Sequence, residues 1–405
     1  PKVSLSGTYS HIKHKKDDGK LVPIDAAKVV LQSIHKESAH SLGWFPNGDK
    51  FLTYDKSRHV NTYRGPAIAP KAGEPTVWLD LMNHVYGEQT QLALAHMAFT
   101  VQRPDEKIRW QILVVSNKKR TGKTSSIAPL SIIYPKEHST LSPEDVETGW
   151  GDMMISKKVI IIEELYRPNS RAFFNSIKAS LVNDATETLN MKGGNIVTQQ
   201  NLRAYYLFTN HWNSIQFDPD EDKLLVVEGP KTPWGDDAKF TEYFHALKHG
   251  DLAGQVLGYL QDFDLTNFQY QSLPVRTKAL ERLCRESAPD YAHYLQDQYE
   301  DASAPFESPC VSFETIRRHL NHEQYKGGNN GVKQALTNLG MEVQRITQTP
   351  KGQRLQYRLW VPTELIAITS NTELIDISKG HYSDINPKAL AWLNKNGWGD
   401  SNAPS

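Results

Sequence analysis

The chain has 405 residues, with 46 Lys and Arg balancing 46 Asp and Glu, so its formal net charge at pH 7 is zero. This length predicts two or three domains, and the balanced charge gives no global sign of a nucleic-acid partner. Two cysteines, Cys284 and Cys310, are too few for a disulfide framework or a zinc site, and no apolar stretch reaches membrane-spanning length, so we expect a cytoplasmic protein without a membrane partner.

The amino-terminal part predicts a small accessory domain followed by helices. Residues 1–75 mix short apolar runs with polar turns and end in a Pro/Gly-rich connection. The chain begins with Pro1 rather than Met, so we expect it to be a piece of a longer protein. Val77–Val101 has helical periodicity that is interrupted at Gly87 and stops before Pro104.

The next segment, QILVVSNKKRTGKTSS, has most of a phosphate-binding loop. It fits the pattern G-x-x-x-x-G-K-[ST], except that Asn117 replaces the first glycine. Asn tolerates positive φ, so we expect this replacement to cost little. Pro129 is expected to end or kink the following helix after about two turns. A basic surface turn after a buried strand fits this segment equally well. The predicted nucleotide-binding residues are Asn117, Thr121, Gly122, Lys123, Thr124 and Ser125.

Two later apolar strands also end in polar side chains. Val159–Ile162 is followed directly by Glu163 and Glu164, and the strand in YYLFTN is followed by Asn210. Parallel sheets bind ligands at the carboxyl ends of their strands, and nucleotide hydrolysis needs carboxylates beside the phosphate lysine. Taken singly, the carboxylates fit a solvated turn and Asn210 fits a turn or cap. Their order after the loop favours nucleotide hydrolysis.

The carboxyl-terminal part has a different pattern. Residues 233–300 predict mainly helices, and 311–361 predict two short helices followed by a hairpin, which is the outline of a winged helix. The segment 311–361 has eight Lys and Arg against three Glu, a net charge of +5. Such a module can bind DNA, bind protein or cover a motor domain, and the sequence does not decide among these.

In this order the motifs resemble those of superfamily 3 helicases, the AAA+ motors of small viruses, phages and plasmids. They are most similar to the helicase-like part of phage and plasmid primase–helicases, and more narrowly to the C-terminal region of deep-sea vent phage primase–polymerases. The resemblance covers about residues 60–230, through QRPDEK, VSNKKRTGKTS, KKVIIIEEL, a Lys-Gly-Gly hairpin and YYLFTN. It implies an α/β fold with an AAA+ type P-loop NTPase core at 76–232. The pattern of the remaining sequence predicts a helical connection at 233–300 and a winged-helix-like domain at 301–405.

The resemblance also implies a role for each polar residue at the strand ends. Lys123 and Thr124 match the Walker A lysine and hydroxyl. Glu163 matches the metal-associated acid, and Glu164 matches the base that polarises water. Asn210 matches the sensor asparagine. The implied cofactors are ATP, or another NTP or dNTP, and Mg²⁺, with Thr124 and Glu163 at the metal.

Residues for DNA and for a neighbouring subunit are implied in the same way. Lys192 matches the basic residue at the hairpin tip that grips the DNA backbone in a ring's channel. The family's arginine that reaches a neighbouring subunit has no clear match. Lys223 stands in the comparable place, and Arg203 or Arg167 could substitute for it.

Together these features predict a Mg²⁺-dependent, NTP-hydrolysing ring, expected to be a hexamer, that moves on single-stranded and fork DNA. The expected setting is phage or plasmid replication in a bacterial host, as the C-terminal part of a primase–polymerase. The first alternative is a non-hydrolysing DNA-binding ring or scaffold that supports a polymerase or primase. The second is a nucleotide-binding transcriptional regulator.

Overall fold

The computed structural model describes residues 13–15, 19–23, 41–147, 151–167, 186–189, 197–215, 223–272, 274–349 and 354–399, and the single positions 173, 178, 181 and 217. The strands are β1 (Lys13–Lys15), β2 (Leu21–Pro23), β3 (Ser41–Gly43), β4 (Phe51–Tyr54), β5 (Ser57–Asn61), β6 (Gln111–Val115), β7 (His138–Leu141), β8 (Val159–Ile162), β9 (Thr186–Leu189), β10 (Val197–Gln200), β11 (Ala204–Thr209), β12 (Leu224–Glu228), β13 (Val311–Ser312), β14 (Met341–Gln348) and β15 (Leu355–Pro362).

The described α-helices follow in chain order, and a 3₁₀ turn at Gly87–Gln89 separates the first two. Among the described residues, no helix is long and apolar enough to cross a membrane. The helices are α1 (Thr76–Tyr86), α2 (Thr90–Gln102), α3 (Lys123–Ile133), α4 (Pro143–Glu147), α5 (Gly151–Met154), α6 (Asp237–His249), α7 (Leu252–Asp262), α8 (Lys278–Glu286), α9 (Asp290–Glu300), α10 (Phe313–His322), α11 (Asn329–Asn338), α12 (Thr363–Ile366), α13 (Asn371–Ser378) and α14 (Pro387–Lys395).

The centre of the molecule is a five-stranded sheet in the order β12-β6-β11-β8-β7, and all of its strands run parallel. Strand β11 lies between β6 and β8, with Thr209 beside Val115 and Leu207 beside Ile162. The strands that precede the predicted phosphate loop, Asn210 and the Glu163–Glu164 pair are therefore adjacent. The predicted α/β class and the parallel arrangement of these strands are confirmed.

Both faces of this sheet are buried, which explains its almost continuous apolar sequence. Along β6, Ile112 and Val114 pack with α1, α2, α3, α6 and α7. Leu113 and Val115 point to the other face, where they pack in a second core that includes α8. Helices α6 and α7 follow residue 232 in the chain but belong to the first core, so the hydrophobic core continues beyond the predicted domain boundary at that residue.

Helix α3 does not end after two turns, because it continues through Pro129 to Ile133. A proline inside a helix leaves the carbonyl four residues earlier without its N–H donor. Here that carbonyl is Ser125 O, and the hydroxyl of Tyr243 on α6 donates a hydrogen bond of 2.9 Å to it. The tertiary contact therefore replaces the bond that the proline removes.

The small strands before the core form two separate sheets, a β1–β2 pair and a three-stranded sheet in the order β3-β5-β4. Residues beside the second sheet contact Glu137, which lies just before β7. Trp44 Nε1 donates to Glu137 Oε1 at 3.3 Å, and the backbone N–H of Arg64 donates to the same oxygen at 2.9 Å. Burial raises the pKa of the Glu137 carboxyl. These contacts join the amino-terminal segment to the core.

The carboxyl-terminal part has its own two apolar cores, one on each side of the β14–β15 hairpin. Helices α10 and α11 precede the hairpin, so the predicted order of helix, helix and hairpin is present. Strand β15 also pairs with the short β13, which gives the sheet order β13-β15-β14. The assignment of this part as a winged-helix domain stays a prediction.

Candidate nucleotide-binding site

A cleft of about 470 Å³ lies at the carboxyl ends of β6, β8 and β11. It brings together residues from the loop after β6, the carboxylate pair after β8 and the asparagine after β11. The sequence predicts this meeting, because parallel strands that are neighbours in a sheet end at the same edge. The cleft is lined by Lys118, Lys119, Arg120, Thr121, Gly122, Lys123, Thr124, Ser125, Glu163, Glu164, Phe208, Thr209, Asn210, Phe240 and Phe244.

Lys123 is the first residue of α3, and its side chain points at the ends of two strands. Its Nζ donates to Ser116 O at 2.9 Å, to Thr209 O at 3.0 Å and to Asn210 Oδ1 at 2.6 Å. Burial lowers the pKa of Lys123 to about 8. An ammonium that is partly stripped of water and held by neutral acceptors gains strongly from an anion, so it is suited to binding phosphate.

The loop before Lys123 takes positive φ at Arg120 (63°) and Gly122 (81°). We expected Asn117 to replace glycine at little cost because Asn tolerates positive φ. Asn117 is not among the described residues with positive φ, so this reason is wrong. It does not need the left-handed conformation here, and a side chain at this position carries no backbone strain. Two observations favour glycine at position 122. Its φ of 81° is left-handed, and a Cβ there would lie 2.5 Å from Leu81 Cδ1.

Three predicted binding residues lie at the junction of the loop and α3, where the helix's free N–H groups are concentrated. Thr124 is exposed and Ser125 is half-buried, and both line the cleft. Thr121 is buried, and its hydroxyl oxygen has no hydrogen-bond partner in the described part of the chain. Asn117 lines an adjoining cleft of about 840 Å³, which also reaches Glu163 and Asn210.

The two carboxylates are fixed by the strands on either side of β8. The N–H of Glu163 donates to Leu141 O at 3.1 Å, and the N–H of Leu165 donates to Phe208 O at 2.9 Å. Between them Glu164 has a φ of 51°, a left-handed conformation that costs a non-glycine residue about 1–2 kcal/mol. Such strain is typical of functional sites, because it aims a side chain that a regular strand would point elsewhere.

The oxygen atoms in the cleft fit a magnesium ion that is bound together with a nucleotide. Mg²⁺ takes oxygen ligands, commonly one or two carboxylates completed by phosphates and water. Thr124 and Glu163 can supply a hydroxyl and a carboxylate. In the described ranges, no group of three or more His, Cys, Asp and Glu could hold a metal. One hydroxyl and one carboxylate match the small number of protein ligands that Mg²⁺ takes at nucleotide sites, where phosphates and water complete its coordination.

Two aromatic residues in the cleft were not predicted. Phe240 and Phe244 lie on α6 and are half-buried, and the ring of Phe240 packs edge-on against Trp234 at a centroid distance of 5.3 Å. Their spacing of four residues places them on one side of the helix. That spacing is also the ordinary signature of a helix packed on a core, so the sequence gives no signal that these two rings face a cleft.

Of the residues predicted to act on DNA or a neighbouring subunit, those that the structure describes do not line this cleft. Lys192 falls outside the described residues. Arg203 is 1% exposed, forms an ion pair with Glu187 and donates to Met154 O at 3.1 Å, so it is not available to a neighbouring molecule. Lys223 is half-buried and directly precedes β12, so it lies at the edge of the sheet opposite the cleft.

Arg167, the other substitute, lies near the carboxylates. Its Nη2 donates to Glu144 Oε1 at 2.6 Å, and both residues line the adjoining cleft. Nearby, the rings of Tyr166 and His211 contact each other at a centroid distance of 4.2 Å. Among these candidates, Arg167 is the described residue that lines one cleft together with Glu163 and Glu164.

Comparison with known proteins identifies the fold. No protein-family model matches the sequence, and no curated protein is significantly similar to it. An apo structure of the C-terminal region of NrS-1 matches with a TM-score of 0.59 and 13% identity, covering 86% of this chain and 93% of that one. A second apo form of the same region has a TM-score of 0.57 at 12% identity, with the same coverage of both chains.

A structure of JCV helicase also matches, with a TM-score of 0.32 and 12% identity over 55% of this chain and 61% of that one. A TM-score this low supports no argument about this chain. The NrS-1 match extends over nearly the whole of both chains, and at 13% identity it bears on the fold alone. The chain has the fold of the NrS-1 C-terminal region.

Proposed function

We propose that this chain is a Mg²⁺-dependent, NTP-hydrolysing motor of the superfamily 3 AAA+ class that moves on single-stranded DNA. The observation that carries the proposal is the meeting of Lys123, Asn210 and the Glu163–Glu164 pair in one cleft at the end of a parallel sheet. A basic surface turn would not need a half-buried lysine, a strained carboxylate and an asparagine at one point. Nucleotide hydrolysis needs a lysine at the phosphates and polar groups that hold the metal and position the water, and the proposal assigns these parts to the cleft residues.

Five residues of the cleft have roles in the proposed reaction. Lys123 binds the β- and γ-phosphates, and the N–H groups at the start of α3 surround them. Thr124 and Glu163 would hold Mg²⁺, which would supply positive charge next to the phosphates. Glu164 orients and polarises the attacking water. Asn210 contacts the γ-phosphate from β11, so hydrolysis changes its contacts and those of Lys123 together.

The proposed assembly is a homo-oligomeric ring, expected to be a hexamer, in the cytoplasm of a bacterial host of a phage or plasmid. A neighbouring subunit would complete each cleft with a cation, for which we propose Lys223 or Arg167. Lys192 would grip the single strand in the channel, and the fork is the expected DNA substrate. Similarity in fold to a C-terminal region supports our proposal that the chain is the C-terminal part of a primase–polymerase.

Steady-state ATP hydrolysis with and without single-stranded DNA tests this function. We expect DNA-stimulated turnover in the parent chain and its loss in Lys123→Ala and Glu164→Gln. Glu242→Gln is the matched control, because Glu242 is an exposed carboxylate outside the cleft, and it should retain full turnover. Removal of Mg²⁺ by chelation should abolish turnover in the parent chain and in Glu242→Gln.

Two results would contradict the proposal. Turnover that survives in Lys123→Ala would place hydrolysis elsewhere or in a contaminant. No turnover in an assembled ring would support the alternative of a non-hydrolysing DNA-binding scaffold. In that case Glu164→Gln should leave DNA binding unchanged.

A further inference from the structure

We propose that the β14–β15 hairpin carries a binding site for the phosphate backbone of duplex DNA, formed by Arg345, Arg354 and Arg358 (the arginine surface). The hairpin belongs to the carboxyl-terminal part of the chain and contributes no residue to the nucleotide cleft. The inference therefore does not depend on nucleotide hydrolysis.

The pairing register of the hairpin places two arginines directly opposite each other. Arg345 on β14 is the cross-strand partner of Arg358 on β15, and both side chains are exposed. Directly opposed residues of an antiparallel pair lie on one face with their Cβ atoms about 5 Å apart, and like charges there destabilise the sheet. A pair of this kind is stabilised when an anion binds between the two guanidinium groups.

In the part of the chain that the structure describes, no carboxylate pairs with the three arginines of this surface. Val343–Val361 contains four Lys and Arg and no Asp or Glu. Within the ranges that the structure describes, no ion pair joins Arg345, Arg354 or Arg358 to a carboxylate. The neighbouring positions carry mostly Gln and Thr, which can donate hydrogen bonds to phosphate oxygens. Three arginines without acidic partners are the electrostatic footprint of a polyanion site.

The shape and the aromatic content of the hairpin favour a duplex over a single strand. A two-stranded β-ribbon fits the major groove of B-DNA, which is about 12 Å wide. Sites for single strands usually offer exposed aromatic rings on which bases stack. The hairpin turns its aromatic residues away from solvent, because Trp360 is buried and Tyr357 packs against the carboxyl-terminal core. The arginine surface therefore suits contact with the phosphate backbone of a duplex rather than with the bases of a single strand.

The test measures binding of the full chain to a labelled duplex and to a single strand of the same sequence across a range of salt concentrations. In Arg345→Ala/Arg358→Ala, loss of two phosphate contacts lowers the salt slope for duplex by ~1.8 and weakens binding roughly 10- to 60-fold at ~0.1 M salt. ATP hydrolysis without DNA should stay at the parent rate. Arg109→Ala/Arg285→Ala, which removes two exposed arginines elsewhere, controls for total charge.

A second variant separates the binding role from a structural one. Arg345→Glu converts the opposed pair into a Glu–Arg pair, so the melting temperature should hold or rise. Duplex affinity should still fall, because the net charge of the hairpin changes by the same two units as in the alanine double variant. Unchanged duplex affinity in both hairpin variants would overturn the proposal, as would an equal loss in the control. A loss confined to the single strand, or an equal loss of binding to polyglutamate, would assign the surface to a different partner.

Discussion

Lys123 Nζ and Asn210 Oδ1 are joined by a hydrogen bond of 2.6 Å that links the start of α3 to the end of β11. The same nitrogen also donates to Ser116 O, directly after β6, and to Thr209 O, the last residue of β11. A phosphate that attracts the lysine therefore competes with contacts to two neighbouring strands. Phosphate binding would therefore change the contacts of Lys123 with the ends of β6 and β11.

Asn210→Ala is expected to impair turnover more than nucleotide binding. The substitution removes a neutral polar group from the side of the cleft where the γ-phosphate would lie, while Lys123 keeps its two carbonyl acceptors. We expect kcat to fall roughly 100-fold, the scale seen when one stabilising polar contact is lost from a transition state. The Kd for a fluorescent nucleotide should change little. A large rise in Kd with unchanged kcat would show instead that Asn210 acts mainly in ground-state binding.

Nucleotide affinity is expected to fall as the pH rises above about 8. Burial lowers the pKa of Lys123 to about 8 in the free protein, so the ammonium is largely charged below this pH and neutral above it. Phosphate binding favours the charged form and raises the pKa, so affinity is greatest below the free-protein pKa and declines above it. Titration of a fluorescent nucleotide at several pH values measures this. Lys123→Arg should bind with a flat profile, and the same decline in that variant would exclude Lys123 as its source.

Tyr243 and Pro129 are expected to be energetically coupled through Ser125 O. Tyr243→Phe leaves that buried carbonyl without a donor and should lower the free energy of unfolding by about 1–2 kcal/mol. In a Pro129→Ala background the restored N–H can bond to the same carbonyl, so the tyrosine substitution should cost about 1 kcal/mol less. Denaturant unfolding of the four proteins in this double-mutant cycle gives the coupling. Additive effects would mean that the hydroxyl does not replace the missing helix bond.

Arg203 is expected to serve stability rather than catalysis. Arg203→Ala leaves Glu187 nearly buried and unpaired, which should cost about 3–5 kcal/mol of stability. The double variant Arg203→Met/Glu187→Leu removes both charges, so it should be more stable than Arg203→Ala and retain hydrolysis without DNA. Calorimetry and an ATPase assay measure the two outcomes. A fully stable Arg203→Ala protein without hydrolysis would instead restore a role for Arg203 at a neighbouring subunit's site.

The strands and the polar residues at their ends could be read from the sequence because each signal is local. A run such as Val159–Ile162 is apolar and β-branched, and the carboxylates that follow it mark the place where the chain leaves the core. The reason given for tolerance of Asn117 was wrong because φ depends on the path of the whole loop. Of the two expected effects of Pro129, an end or a kink, an end of α3 at that residue was wrong, since the helix continues to Ile133 and Tyr243 supplies the missing hydrogen bond.

The sequence by itself determined which residues end the strands, where the candidate phosphate loop lies, and that the charged residues of 343–361 are all positive, because chain order and residue type suffice for these. Tertiary structure alone decided that β11 lies between β6 and β8, which brings Asn210 to Lys123. It also decided that Phe240 and Phe244 face the cleft, that Arg203 is buried with Glu187, and that Arg345 opposes Arg358. Strand order, burial and register depend on packing between segments that are distant in sequence, so no local pattern encodes them.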